Sequence, residues 1–579
     1  MLPAVDPLHL LGEALARATL PTTAAEPDRD RRRARGVVYT PPPLVQFVVE
    51  QTLTPLLATA PPSLTVLDPA CGDGRFLLAA ARLLANVHPA ATLRLIGIER
   101  DPRAAAVARA ALDAALAPAV PGSPDAAAAP ASASAVILEG EALLGVSIEA
   151  SVDAPIDAVI GNPPYVRAVH LRAHDRALWQ ALRHRFAATS HGEWDLYAAF
   201  LERSLGWVRR GGRVGLVVPS RWLTAAFAAR LRAAIAAEVT AIVDFGAHQV
   251  FPGATTYASV VLLESGRAAG PATFARHTPR GWTRCEQVLP AGQPGPWILR
   301  AGPARTLPDA GAGTVGDHLQ VAKGCGTNAD KIFVVRGRID GEHLVGQNGL
   351  GQSVRVEAAA ARPCLRGRDV EAAQPGAERD FCLLPYRVNA ARPDETASAK
   401  LRPLAELWDE QPGLAAYLAG HRAALEARER GRFAGAQFHR FGRPQNLAFL
   451  LDPTPKLVIP DVTARGRAMI DVGSLVLDSA YALRPRATAP APWQSLPLLA
   501  ALLRSPAVRL WLNMVGVPLR GDYMRMKTAF LAPMPLPPDG PALRRAAAAA
   551  SAGESALTSE ALREAYGIAH STWASALPT

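Results

Sequence analysis

The tetrapeptide Asn162-Pro163-Pro164-Tyr165 is the part of this sequence best equipped for chemistry. The asparagine side-chain oxygen and the carbonyl of Pro163 are two acceptors, and the paired prolines stiffen the backbone so that both can point one way. An exocyclic amino nitrogen is a poor nucleophile, because its lone pair is delocalised into its ring. Two acceptors aimed at its hydrogens would favour a more tetrahedral nitrogen and stabilise the charge that develops as it attacks. Tyr165 offers a flat face for a base, and a base inside a duplex must leave the stack to be reached. Asn-Pro-Pro is also ordinary turn chemistry, so the surroundings decide between the two readings.

A second set of residues lies upstream. Asp68-Pro69-Ala70-Cys71-Gly72-Asp73-Gly74 follows an apolar run, Leu64 to Leu67, and leads into a helical pattern from Arg75 to Ala85. Glycines in such a turn let the backbone approach a ligand closely. Glu99 ends the next apolar run, Leu93 to Ile98, where a carboxylate can accept hydrogen bonds from two ribose hydroxyls. The loop lacks the G-x-G-x-x-G spacing of a nicotinamide site. Its acids, Asp68 and Asp73, suit a cationic sulfonium better than a pyrophosphate.

These motifs need a frame, and the patterning supplies one. Pro41 to Pro43 open a helix with Leu44, Val45, Phe47, Val48 and Leu53 on its apolar face. Strands are expected at 64–67, 93–98, 136–138, 156–160, 213–218, 242–244 and 259–263, with helices at 75–85, 102–115 and 222–237 between them. This alternation predicts an α/β fold with a mostly parallel sheet covered on both faces. Ligands in such a sheet sit at the carboxyl ends of the strands. The alanine-, proline- and serine-rich stretch 118–134 reads as a surface insertion and 27–35 as a solvated charge run.

After about Gly266 the rhythm gives way to short strand-like runs, 332–335 and 456–459, with a helix expected at 498–515 and an alanine-rich helical end. The expected divisions are a mobile segment 1–35, a first domain 36–270, a mixed α+β domain 271–540 and a tail 541–579. A length of 579 residues suits two or three domains.

The net charge of +11 makes a polyanionic partner plausible, although arginine supplies nearly all of it: only Lys323, Lys331, Lys400, Lys456 and Lys527 are lysines. The five cysteines have no paired spacing, which predicts neither a disulfide framework nor a zinc site. No basic leader and no apolar run of spanning length is present, so a cytoplasmic location is expected.

In their order, these motifs resemble those of the gamma-class DNA adenine-N6 methyltransferases of restriction–modification systems. Gly36-Val37-Val38-Tyr39-Thr40-Pro41 resembles the family's most N-terminal cofactor motif. Asp68 to Gly74 and Glu99 match its nucleoside-binding loop and ribose acid, and Glu141 stands where it usually has aspartate near the cofactor adenine. The catalytic motif is Asn162 to Tyr165. Asp195-Leu196-Tyr197 resembles the segment that closes the adenine pocket, and Pro219-Ser220-Arg221-Trp222 ends the next strand motif. Phe251 matches an aromatic used against the flipped base.

The resemblance implies a Rossmann-like methyltransferase domain followed by a target recognition domain. It also implies S-adenosyl-L-methionine as cofactor and double-stranded DNA as partner, with a separately encoded nuclease as a further candidate partner. Thr40, Asp68, Pro69, Ala70, Gly72, Gly74, Glu99 and Glu141 would then bind the cofactor. Segments 324–330, 365–369 and 523–525 resemble parts of such recognition domains, with Lys323, Arg366, Arg368, Arg443, Arg520 and Lys527 as candidate DNA contacts; ordinary surface or ion-pair charge is the competing reading for each.

The amino-transfer motif alone leaves other acceptors open: cytosine N4, a protein glutamine amide or an RNA amino group. The large basic second domain favours a long duplex. Cytosine C5 chemistry would need a Pro-Cys loop after the fourth strand, whereas Pro363-Cys364 lies far downstream. The segment ahead of Gly36 is too short for a nuclease domain, so a fused nuclease is not expected.

Overall fold

The computed structural model describes residues 7–17, 40–117, 132–146, 154–246, 248–251, 257–278, 281–292, 297, 307, 313–371, 379–389, 398–515 and 523–576. The motif residues Gly36 to Tyr39, the charge run 27–35, most of the 118–134 stretch and Arg520 lie outside them. The chain divides into two compact units, residues 1–302 and 303–579.

The first unit is built on a nine-stranded sheet ordered β3-β2-β1-β4-β5-β7-β6-β8-β9. Its strands are β1 (Ser63–Asp68), β2 (Thr92–Glu99), β3 (Ser132–Glu139), β4 (Ile156–Gly161), β5 (Val208–Pro219), β6 (Val239–Asp244), β7 (Ala258–Glu264), β8 (Pro271–Thr278) and β9 (Gly281–Val288). Strands β3 through β5 in that order run parallel. β7 is antiparallel to both β5 and β6, while β8 is parallel to β6. The expected Rossmann-like α/β fold is therefore present.

Successive strand residues point to opposite faces, and both faces are covered. Leu67, Val159, Leu216 and Val218 join one buried cluster, and Val66, Ala158, Ile160 and Val217 the other. The helix Pro42–Leu57 lies in the second cluster and buries all five of its predicted apolar positions. The sheet order reverses beside β1, between β1 and β4, so the carboxyl ends of these two strands lie side by side at the place where such sheets bind ligands.

Several expectations need correction. The first domain does not end at residue 270. β8 pairs with β6 from Ala241↔Thr273 onward, and its buried Ala272 and Phe274 complete the core, which the intervening Gly266 and Pro271 obscured in sequence. Within the segment 1–35, Pro7–Arg17 is a helix packed on Pro42–Leu57, with Leu8 and Leu11 buried.

The single helix expected over 222–237 is two 3-10 turns, Ser220–Leu223 and Ala226–Ala228, followed by the helix Ala229–Ile235. Arg232 explains the break. Its buried guanidinium donates to the carbonyls of Trp222 at 2.6 Å and Ala225 at 2.8 Å, drawing both out of a helical ladder. Burial lowers the Arg232 pKa to about 10.

The second unit contains a four-stranded sheet in the order Leu319–Lys323, Ala480–Pro485, Lys456–Pro460, Met469–Asp471. It also contains a six-stranded sheet in the order Ser353–Glu357, His343–Asn348, Val334–Asp340, Arg379–Leu383, Ala361–Leu365, Leu475–Val476. The helix expected over 498–515 is two helices, Leu496–Arg504 and Pro506–Val515. Pro506 cannot donate to the ladder and restricts Ser505 before it. The tail is not separate: the helices Pro541–Ser551 and Ser555–Ala565 pack on Leu496–Arg504, burying Leu543, Ala546 and Leu562. Among the described residues no helix is long and apolar enough to cross a membrane.

Candidate active site

The end of β1 carries the first half of the site. Asp68 is buried there, and its Oδ1 accepts from the Ala70 N–H at 3.1 Å. Its Oδ2 is buried with no hydrogen-bond partner among the described residues. Burial pushes the Asp68 pKa up to about 8; Glu99 and Asp73 add to this, and the Ala70 N–H opposes it.

The loop then turns through Gly72 and Gly74, both at positive φ, 54° and 80°. At Gly74 a side chain would also lie 3.2 Å from Ala108 Cβ, so the close packing of the helix Arg75–Val87 on its neighbour requires glycine there.

Glu99, at the end of β2, stabilises this turn. Its Oε2 accepts from the Gly72 N–H at 2.9 Å and its Oε1 from the Asp101 N–H at 2.8 Å. Each oxygen keeps a second lone pair, so both remain able to accept from a ligand hydroxyl. Glu141 is differently placed. Its two oxygens accept from the N–H groups of Leu143 and Leu144 at 3.0 and 2.8 Å, which makes it the organiser of its own turn.

The end of β4 carries the second half. Gly161 has φ +148°, and the chain passes from it into Asn162, Pro163, Pro164 and Tyr165. The Asn162 Nδ2 donates to Thr40 Oγ1 at 2.9 Å. Its Oδ1 is buried with no partner among the described residues. The Tyr165 hydroxyl donates to the Val217 carbonyl at 3.3 Å, and its ring meets the edges of Tyr197 and Phe251, each 6.1 Å away. Burial holds the hydroxyls of Tyr165 and Tyr197 well above the ordinary phenol range.

Phe251, expected to meet a target base, is wholly buried; in this state it supports Tyr165 and presents no open face. The Asp195 segment is tied to the chain just after Tyr165. The Leu196 N–H donates to the Val166 carbonyl and the Ala168 N–H to the Trp194 carbonyl, both at 2.8 Å. Burial raises the Asp195 pKa, which the nearby Arg221 and Arg167 oppose.

Two neighbours of the site had no role of their own in the sequence reading: Arg221, quoted only as part of a strand motif, and Arg75. Arg221 pairs with Asp195 at 3.4 Å and lies over the Phe227 ring at 5.4 Å. Arg75 pairs with Asp73 and donates to the Thr40 carbonyl at 2.7 Å. A signal for Arg75 existed: a cation in the first turn of a helix opposes the macrodipole and calls for a local reason.

The structure thus brings Thr40, Asp68, Gly72, Gly74, Glu99 and Asn162 to Tyr165 to one end of the sheet. Pro69 is buried and Ala70 half-buried in the same loop. The acceptor set fits a nucleoside bearing a cationic sulfonium: the two Glu99 oxygens for ribose, an orphaned buried carboxyl oxygen on Asp68 for positive charge, and an orphaned acceptor on Asn162.

Four of the candidate DNA contacts of the second unit, Lys323, Arg366, Arg368 and Arg443, are engaged with acids. Lys323 and Arg443 share Asp478, at 2.8 and 3.4 Å. Arg366 and Arg368 share Asp380, at 3.0 and 3.1 Å. Lys527 sits at the cap of the helical turn Thr528–Leu531. Cys364 is buried on a strand of this unit with its thiol pushed far up by burial. Among the described residues no group of three or more His, Cys, Asp or Glu could hold a metal ion.

Residues 146–251 match the family model described as Eco57I restriction-modification methylase. The chain is 32% identical over 256 residues to the type II methyltransferase M.TthHB8I of Thermus thermophilus, an alignment covering 43% of this chain and 48% of that protein. It is 26% identical over 566 residues to M.PaeR7I of Pseudomonas aeruginosa, covering 93% and 92% respectively. Among solved structures, it is similar to the type IIL restriction-modification enzyme MmeI in complex with DNA, with a TM-score of 0.58 and 14% identity. That match covers 98% of this chain and 79% of the other and reflects shared fold. These matches bear out the resemblance to restriction–modification methyltransferases.

Proposed function

We propose that this chain is a DNA methyltransferase of the restriction–modification type that uses S-adenosyl-L-methionine and methylates an exocyclic amino nitrogen, N6 of a flipped-out adenine. The gamma class is the assignment its motif order favours. When bound, S-adenosyl-L-methionine supplies a methyl group on a cationic sulfur. Asp68, Gly72 and Glu99 hold the nucleoside and offset its charge, with Gly74 allowing the tight turn.

The observation that carries the reading is the Asn162 amide. Its nitrogen end is committed to Thr40, and its oxygen end is buried without a partner at the strand end adjoining Asp68. A buried acceptor left unmet costs about 1–3 kcal/mol, so the site is built for a donor that arrives with the substrate. The substrate amino group supplies that donor. Its hydrogens would be accepted by Asn162 Oδ1 and the Pro163 carbonyl, leaving its lone pair free for the methyl carbon; the methyl–sulfur bond would break as the nitrogen–carbon bond forms, the neutral thioether would leave with the bonding pair, and the amino proton would pass to water. Tyr165, fixed by its bond to Val217, provides the stacking surface for the extruded base.

Double-stranded DNA is the partner this reading requires, and the basic second unit is the proposed recognition domain. A separately encoded endonuclease is the proposed counterpart. Replacing Asn162 with alanine tests the reading: the transfer rate should fall by at least about 10²-fold while DNA affinity is retained. An unchanged rate would refute it.

A further inference from the structure

We propose that Thr40 is a positioning residue that aims the Asn162 amide, and that Asp73 and Arg75 hold Thr40 in place. The inference rests on the methyltransferase reading above and assigns Thr40 a role distinct from direct contact with the cofactor.

The torsion that turns an asparagine amide is soft and broad, so an asparagine that must present its oxygen needs a clamp on its nitrogen. Thr40 is that clamp. It is 3% exposed, and its Oγ1 accepts from Asn162 Nδ2 at 2.9 Å across 122 positions of sequence. Thr40 is itself secured through its backbone. Its carbonyl accepts from Arg75 Nη1 at 2.7 Å, and Arg75 Nε donates to Asp73 Oδ1 at 2.8 Å.

A chain of contacts therefore runs from the acidic loop, through Arg75 and Thr40, to the amide at the end of β4. With Nδ2 committed, Oδ1 is the end left to face a substrate N–H, and it is the end without a partner among the described residues. The arrangement also places Arg75 beside the acids without leaving its charge to oppose a cationic cofactor, because Asp73 neutralises it.

The test compares Thr40→Val, which keeps the shape but loses the acceptor, with Thr40→Ser, which keeps the acceptor. Single-turnover methyl transfer to DNA is measured at saturating S-adenosyl-L-methionine. Binding of S-adenosyl-L-homocysteine is measured separately by calorimetry. Thr40→Val is expected to slow transfer about 10- to 100-fold, the scale of a misaimed catalytic group. The S-adenosyl-L-homocysteine Kd should stay within about threefold of wild type, and Thr40→Ser should restore most of the rate. Should Thr40→Val fail to fold, as judged by its melting curve, Thr40→Ala carries the same comparison.

A wild-type rate in Thr40→Val, or a loss accompanied by weakened cofactor binding and recovered at saturation, would overturn the inference. Absence of DNA methylation by the wild-type protein would instead strike the functional reading.

Discussion

A Cβ placed on Gly161 would lie 2.6 Å from Asp68 Oδ1 and 3.1 Å from its Cγ. The residue before Asn162 and the acid at the end of β1 therefore lie in close approach, and each limits what the other can be. Gly161 also sits at φ +148°, where side chains are rarely accommodated. The Asp68 carboxyl cannot swing aside freely, because it is buried and held by the Ala70 N–H. Gly161→Ala should therefore cost about 1–3 kcal/mol in backbone conformation before the clash is counted. A melting temperature lowered by several degrees, with loss of transfer, is the expected result. Gly72→Ala meets no atom within 4 Å and should be destabilised less.

Asp68 has a folded pKa of about 8 against an ordinary value of 3.8, with burial as the main cause. A raised carboxylate pKa stabilises the cofactor-free fold fully below the unfolded value. That contribution is lost as pH rises through the window to about 8. A cation bound beside Asp68 favours the ionised form, so binding should release a proton below pH 8 and tighten as pH rises towards it. Calorimetry of S-adenosyl-L-methionine binding from about pH 6.5 to 8.5, in buffers of different ionisation enthalpy, measures both effects. Asp68→Asn should flatten the dependence, and a flat wild-type profile would contradict the assignment.

The paired cations of the second unit sit at the surface with their acids. Lys323 and Asp478 are each more than a third exposed, so their contact contributes at most about 1 kcal/mol to stability. Lys323→Ala should leave the melting temperature nearly unchanged. If Lys323 meets phosphate, the slope of log affinity against log salt should shrink by about 1. Asp478→Asn frees both Lys323 and Arg443 and should tighten non-specific DNA binding. Unchanged affinity in both variants would make this cluster a surface ion-pair network.

The site was legible in sequence where residue type and strand context coincide. Asp68, Glu99 and Asn162 each end or follow a strand whose apolar run is unmistakable, and a parallel sheet brings such ends together. Their partners were less legible. Arg75 bridges to a residue 35 positions earlier, and Arg221 meets Asp195 from 26 positions away, distances no local periodicity encodes. The 222–237 segment misled because its composition is helical while Arg232 draws its carbonyls elsewhere. The boundary at 270 misled because the segment before β8, Gly266 to Pro271, resembles a linker in composition. Phe251 was expected against a target base; its burial behind Tyr165 depends on packing that a single sequence does not carry.

The central claim is that the Asn162 and Pro163 oxygens direct methyl transfer to an amino nitrogen, and nucleoside mass spectrometry tests it most directly. Duplex DNA is incubated with the protein and S-adenosyl-L-methionine, digested to nucleosides and compared with DNA treated with Asn162→Ala. The account predicts N6-methyldeoxyadenosine from the wild-type protein and a near-total loss in the variant. N4-methyldeoxycytidine would retain the amino chemistry but contradict adenine as the target, and 5-methyldeoxycytidine, or equal methylation by both proteins, would contradict the mechanism itself.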